Sequence, residues 1–139
     1  MLDLGGLEKA LHIYRKVVSK AQDAPFMDKL DKIAQQAVRA GAIQHFEFSY
    51  ELCWKSMRRW LEQNLGRSYV DGVSRRELFR LAAEHQLIES VDRWMFYHRA
   101  RNLTSHTYHE ETAWEVFTVA VEFVTDAEAL LAALKQRND

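Results

Sequence analysis

Helix breakers are nearly absent from this chain, and that restricts what it can fold into. Pro25 is the only proline, and glycine accounts for five of the 139 residues. The long intervals between them carry apolar residues three and four apart, with few β-branched runs, which is helical patterning. The spacing predicts a first helix over about Leu4–Ala21, with Leu4, Leu7, Leu11, Tyr14 and Val18 as one stripe. Pro25 then breaks or turns the chain. A long second helix is expected over about Met27–Asn64, with Leu30, Ile33, Ala37, Ala40, Phe48, Leu52 and Leu61 on its buried side. Gly41 is its natural kink point and Gly66 its stop. Ser74 and Glu77 make a Ser-x-x-Glu capping box that opens a third helix through about Gln86, with Leu78, Leu81 and Ala82 facing inward. Ser90 caps a fourth, which carries Trp94, Tyr97, His98 and Arg101 along one side. A bend at about Thr104–His109 leads into a last helix over about Glu110–Gln136. Its stripe is Ala113, Val116, Phe117, Ala120, Phe123, Val124, Ala127 and Leu131, and Glu110 and Glu111 sit in its first turn, where the helix dipole favours negative charge. No strand, repeat or low-complexity tract is read. The expectation is an all-α chain: an up-and-down bundle of four to five helices, forming a single domain over residues 1–139.

Composition narrows the function classes. Hydrophobic residues make up 47% of the chain, which argues against disorder. Nineteen Lys and Arg stand against twenty Asp and Glu, a net charge of −1. A protein that grips duplex nucleic acid over a broad face needs a basic excess, so any nucleic-acid contact here should be local. The lone Cys53 forms no internal disulfide, and no cysteine pair offers a metal site. The N-terminus has no signal-peptide run, and no stretch approaches the roughly 20 apolar residues of a membrane span. The reading is a cytoplasmic protein with no metal and no cofactor.

Two stretches concentrate polar chemistry. In QHFEFSYELCWKSMRRW, residues 44–60, Phe46, Phe48, Tyr50, Trp54 and Trp60 occupy more than one helical face. Glu47, Glu51 and Lys55 step by four along one edge. Spacing alone favours ordinary i,i+4 support on a solvated face, at about 0.2–0.5 kcal/mol per pair. The aromatic crowding favours a different role, in which this edge lines a polar cleft opposite the bend.

The bend itself reads RNLTSHTYHE, residues 101–110. Arg101 is permanently charged, and its fork matches phosphate oxygens. His106 belongs to the residue type that exchanges a proton near neutral pH. Asn102 both donates and accepts, and Tyr108 offers a hydroxyl and a flat ring. On an ideal helix Arg101 and His106 lie about 140° apart, while Asn102 and His106, and Arg101 and Ser105, share a side. A loosened last turn would let Arg101 and His106 address one groove. Such a pair suits phosphodiester chemistry on RNA. The His takes the proton of a ribose 2′-hydroxyl and the Arg stabilises charge growing on the phosphate. Each residue also has a plainer use: a surface ion pair for Arg101, a favourable dipole contact for His106, packing for Tyr108. Arg-x-x-x-x-His is a short pattern that chance produces often. His98 shares a face with Trp94 and reads as a packed histidine.

RNLTSHTY, preceded by Trp94 and by FEFSYELCWK some fifty residues earlier, resembles the HEPN superfamily. More narrowly it is similar to the prokaryotic branch of nucleotidyltransferase substrate-binding proteins. The resemblance runs over about Arg39–Leu131. It implies a HEPN helical bundle, a homodimer with two motif copies meeting across a cleft, and a minimal nucleotidyltransferase as partner. It also implies a metal-independent endoribonuclease in which Arg101 and His106 are catalytic, with Asn102 as the polar residue after the Arg. In toxins of a toxin–antitoxin pair with this motif, the partner adenylylates a tyrosine that corresponds to Tyr108. Glu47 and Glu51 match positions typical of the branch. Two functions stay open: a ribonuclease toxin, and a non-catalytic subunit that presents a nucleotide or other substrate to a nucleotidyltransferase. A structural helical dimer with a disused motif is the third and plainest.

Overall fold

The computed structural model describes residues 1–138, and among these every regular element is a helix. The order is α1 Gly5–Ala21, α2 Ala24–Met27, α3 Lys32–Leu65, α4 Arg67–Val70, α5 Arg75–Glu84, α6 Val91–Asn102, a 3-10 turn at Thr104–His106, and α7 Glu110–Gln136. The five long helices are the five expected, and two four-residue helices, α2 and α4, are added between them.

The boundaries follow local chemistry. Ser74 and Ser90 accept backbone N–H bonds from Glu77 and Arg93, each at 3.1 Å, so both predicted caps form. Gly66 ends α3 with φ 98°, a conformation that disfavours any side chain. The start of α3 differs from the expected Met27. Asp23 caps the short α2, which holds Pro25 in its first turn, and Asp31 caps α3 by accepting from Ala34 N at 2.8 Å. α3 also runs unbroken through Gly41.

A second correction concerns which face of α3 is buried. Ile33 and Phe48 are 79% and 58% exposed, and Ala37 and Ala40 also face outward. Buried instead are Ala42, Ile43, Phe46, Tyr50, Cys53, Met57, Trp60 and Leu61. Ile33, Ala37, Ala40 and Phe48 lie in phase with Glu47 and Glu51, not with Phe46 and Tyr50. The expected stripe had joined two faces of one helix.

Phe123 of α7 is the hub of the core. Its ring centroid lies 4.7 Å from Tyr97, 5.2 Å from Trp94, 5.4 Å from Phe46, 6.1 Å from Tyr50 and 6.2 Å from Tyr14. These rings come from α1, α3, α6 and α7, so one side chain ties four helices together. The polar tips are satisfied: Tyr14 donates to the Ala120 carbonyl within the core and Tyr97 to Asp126 at its rim. Cys53 is fully buried and burial pushes its thiol pKa up, which leaves it protonated and unreactive. Among the described residues no helix is long and apolar enough to cross a membrane.

Candidate active site at the bend

Arg101 stands in the last turn of α6, and the chain turns directly after it. Thr104 Oγ1 donates to the Arg101 carbonyl at 2.8 Å, and Thr107 Oγ1 to the Thr104 carbonyl at 3.2 Å. The hydroxyls of the bend therefore hold its backbone, in the manner of local Ser/Thr turns. His106 N–H donates to the Leu103 carbonyl at 2.9 Å and closes the 3-10 turn.

The edge of α3 faces this bend. Arg101 Nε donates to Glu51 Oε1 at 2.7 Å, and its Nη2 lies 4.0 Å from Glu47 Oε1. The other Glu51 oxygen accepts from Trp54 Nε1 at 2.6 Å. Burial raises the Glu51 pKa, but the bonds from Trp54 and Arg101 outweigh it and hold the carboxyl below its ordinary value. Glu51 is thus ionised at neutral pH.

Behind Glu51 a second layer follows. The Arg75 guanidinium carbon sits 3.6 Å from the centroid of the Trp54 ring, and Arg75 Nη1 donates to Tyr50 Oη at 3.3 Å. Tyr50 Oη lies 2.8 Å from His98 Nδ1. Burial pushes the Tyr50 pKa up, and burial together with the nearby Arg75 charge pushes that of His98 down. Both are therefore neutral, and they share one hydrogen bond between Tyr50 Oη and His98 Nδ1.

His106 and Tyr108 lie on the outer side. Their ring centroids are 6.2 Å apart, Tyr108 is 76% exposed, and its ring lies 4.3 Å from that of His109. A groove of about 290 Å³ opens beside Tyr108, walled by Thr107, Arg39 and Ile43 of α3, and Trp114 of α7. Arg39 covers the Trp114 ring, 4.4 Å from its centroid.

The structure thus brings together Arg101, Glu47 and Glu51, and places His106 beside Tyr108. Asn102 is exposed at the end of α6. Lys55 is also exposed and reaches the Trp54 ring at 5.8 Å rather than the acidic pair. Among the described residues no hydrogen bond joins Arg101 to His106. His98 is packed as expected, but it also anchors Tyr50. Sequence reasoning did not find the roles of Tyr50, Trp54 and Arg75 in this network. Trp54 carried a usable signal, since it lies one helical turn from Glu51. Arg75 carried none, because it meets Tyr50 only through the packing of α5.

This is a small helical protein whose polar site, centred on one arginine, lies at the end of a bundle. It belongs to the nucleotidyltransferase substrate binding protein like family, which matches residues 2–136. The match takes in the segment before Arg39 that the motif resemblance left out. The chain is similar to the Haemophilus influenzae protein named "Probable ribonuclease HepT", 35% identical over 138 residues, which span 99% of this chain and 94% of that one. It is also similar to a solved H. influenzae structure described as the fold of a substrate binding domain of a nucleotidyltransferase. That comparison gives a TM-score of 0.93 at 33% identity, covering 96% of this chain and 100% of the other. A Thermus thermophilus crystal structure superposes with a TM-score of 0.72 at 27% identity, covering 92% of this chain and 98% of that one.

Proposed function

We propose that the protein is a metal-independent endoribonuclease, the toxin of a pair with a minimal nucleotidyltransferase. The observation that carries this reading is the bend itself, which presents His106 at the surface five residues after an arginine already oriented by two acidic groups. His106 takes the proton of a ribose 2′-hydroxyl. The freed oxygen attacks the adjacent phosphorus, the P–O5′ bond breaks with the 5′-oxygen taking a proton from solvent water, and a 2′,3′-cyclic phosphate results. Arg101 stabilises the charge on the phosphate oxygens. Its bond to Glu51 occupies Nε, one of five N–H donors on the fork, so the pairing orients the rest without consuming them. Asn102, at the same helix end, contributes a polar contact to the strand.

A second copy completes the site in this reading. The exposed α3 face with Ile33, Ala37, Ala40 and Phe48 adjoins Glu47, and pairing two such faces brings two bends across one cleft. Tyr108 is the adenylylation site: its exposed hydroxyl displaces pyrophosphate from ATP bound to the partner, and the added nucleotide blocks the cleft. Its exposure and the groove beside it support this.

One observation favours the binding-subunit reading. Arg101 is already neutralised by Glu51 and Glu47, as suits a residue that holds a fixed geometry rather than one that awaits a phosphate. In that case nucleotide binding is weakened by Arg101→Ala and no RNA is cleaved at any dose.

The deciding experiment is RNA cleavage in EDTA by wild type and His106→Ala, with an intact-mass spectrum of each. Cleavage by unmodified wild type alone, reduced about 10²–10⁴-fold in the variant, is expected. Equal cleavage by both identifies a contaminant and ends the proposal. No cleavage by unmodified, dimeric wild type leaves the binding-subunit reading.

A further inference from the structure

Arg75 differs from its neighbours in one respect. Arg58, Arg76 and Arg80 each sit within ion-pair distance of an acid: Glu62 at 3.0 Å, Asp92 at 3.6 Å and Glu77 at 3.4 Å. Arg75 has no carboxylate within 4.0 Å among the described residues. It is nevertheless held in place. Its guanidinium lies flat on Trp54 at 3.6 Å and is bonded to Tyr50 Oη at 3.3 Å, and Tyr50 is itself fixed by His98. A half-buried cation that is ordered and has no direct carboxylate partner is the arrangement that favours an outside anion, because little side-chain entropy is left to lose on binding.

The surroundings suit a phosphate. Arg75 lines a hollow of about 190 Å³ together with Trp54, Arg58, Ser74 and His98. The wall contains two cations and no acid, and the His98 ring is bonded through Nδ1 to Tyr50. Arg101 is linked to Trp54 through Glu51, which accepts from both. Both arginines are thus tied to one tryptophan, Arg75 directly and Arg101 through Glu51. Two anchored arginines joined through the same two side chains suit neighbouring phosphates of a single strand.

We infer that Arg75 forms a second phosphate site, which binds the backbone of a single-stranded RNA beside the phosphate addressed by Arg101. The inference rests on the RNA substrate proposed above. It also reconciles the net charge of −1 with nucleic-acid binding, since two fixed arginines replace a broad basic face.

The test uses a 2′-O-methyl oligoribonucleotide, which lacks the attacking hydroxyl and so separates binding from cleavage. Its affinity for the full chain is measured by fluorescence anisotropy over a range of salt concentrations. Arg75→Gln is expected to weaken binding about tenfold at low salt. It is also expected to reduce the magnitude of the slope of log K against log salt by about 0.7, the value for one single-strand phosphate. Arg75→Lys keeps the slope but not the full affinity, because the charge remains while the fork and the flat stacking are lost. Arg15→Gln, which removes a charge from the α1 surface, leaves the slope unchanged. An unchanged slope in Arg75→Gln, an equal fall in Arg15→Gln, or no binding by wild type overturns the inference. Cleavage of unmodified RNA is scored separately. A slope effect without any cleavage keeps the phosphate site and removes the nuclease. Cleavage with an unaltered slope does the reverse.

Discussion

The aromatic centre around Phe123 and the polar bend around Arg101 share α3 and α6 yet obey opposite rules. In the centre, rings from three helices meet edge to face, a fourth helix adds a tilted ring, and the polar tips find partners. At the bend, charges are paired while half-exposed, and His106 and Tyr108 are left at the surface. Tyr50 belongs to both: its ring packs 6.1 Å from Phe123, and its hydroxyl contacts Arg75 and His98. The core supplies the rigidity, and the bend adds little of its own. A substitution at the bend should therefore cost little stability, and truncating a core ring should cost much.

The sharpest way to break that division is Phe123→Ala. Removing the hub should cost about 3–5 kcal/mol of stability by urea denaturation, and any activity should fall only as the folded fraction falls. His106→Ala is the opposite case. It should abolish cleavage while leaving stability within about 0.5 kcal/mol of wild type, because the side chain is exposed. If His106→Ala unfolds the protein, the bend is part of the scaffold and the division fails.

Glu51→Gln lies between the two. Losing the charged acceptor for Arg101 and Trp54 should cost about 1–2 kcal/mol at neutral pH. The pH dependence has a definite sign. The folded carboxyl titrates below its unfolded value of about 4.3, so its contribution is present above that pH and is lost as pH falls through the lower folded value. Denaturation curves on either side of about pH 4 should show wild type losing more stability than Glu51→Gln. Equal losses would mean that the pairing with Arg101 is not formed in solution.

Ser49→Ala should have the smallest effect. Ser49 is buried and its hydroxyl has no partner among the described residues. Its removal should leave stability unchanged or raise it by up to about 1 kcal/mol by thermal or urea unfolding. A clear loss would reveal a hidden hydrogen bond in the centre.

Much of this was legible in the residues. The scarcity of breakers, the Ser74 and Ser90 caps, the Gly66 stop and the stripe of α7 are local signals, and local signals survive folding because each depends on neighbours within a turn or two. The Glu47–Glu51 edge could be read as facing the bend because crowded aromatics left it little free surface. The face of α3 was misread at Ile33 and Phe48, since a 34-residue helix carries apolar residues on several sides and periodicity alone does not say which side meets a partner.

The sequence by itself determined that the chain is helical, where its long helices end, and that Arg, His, Tyr and hydroxyl side chains are concentrated between residues 101 and 110. Only the tertiary structure decided that Arg101 pairs with Glu51, that Trp54 locks that pair, and that Arg75 stands ordered and without a carboxylate behind it. The contacts that make the site join residues 50 apart for Arg101 and Glu51, and 25 apart for Arg75 and Tyr50. No helical period reaches that far, and only the packing of α5 and α6 against α3 sets those distances.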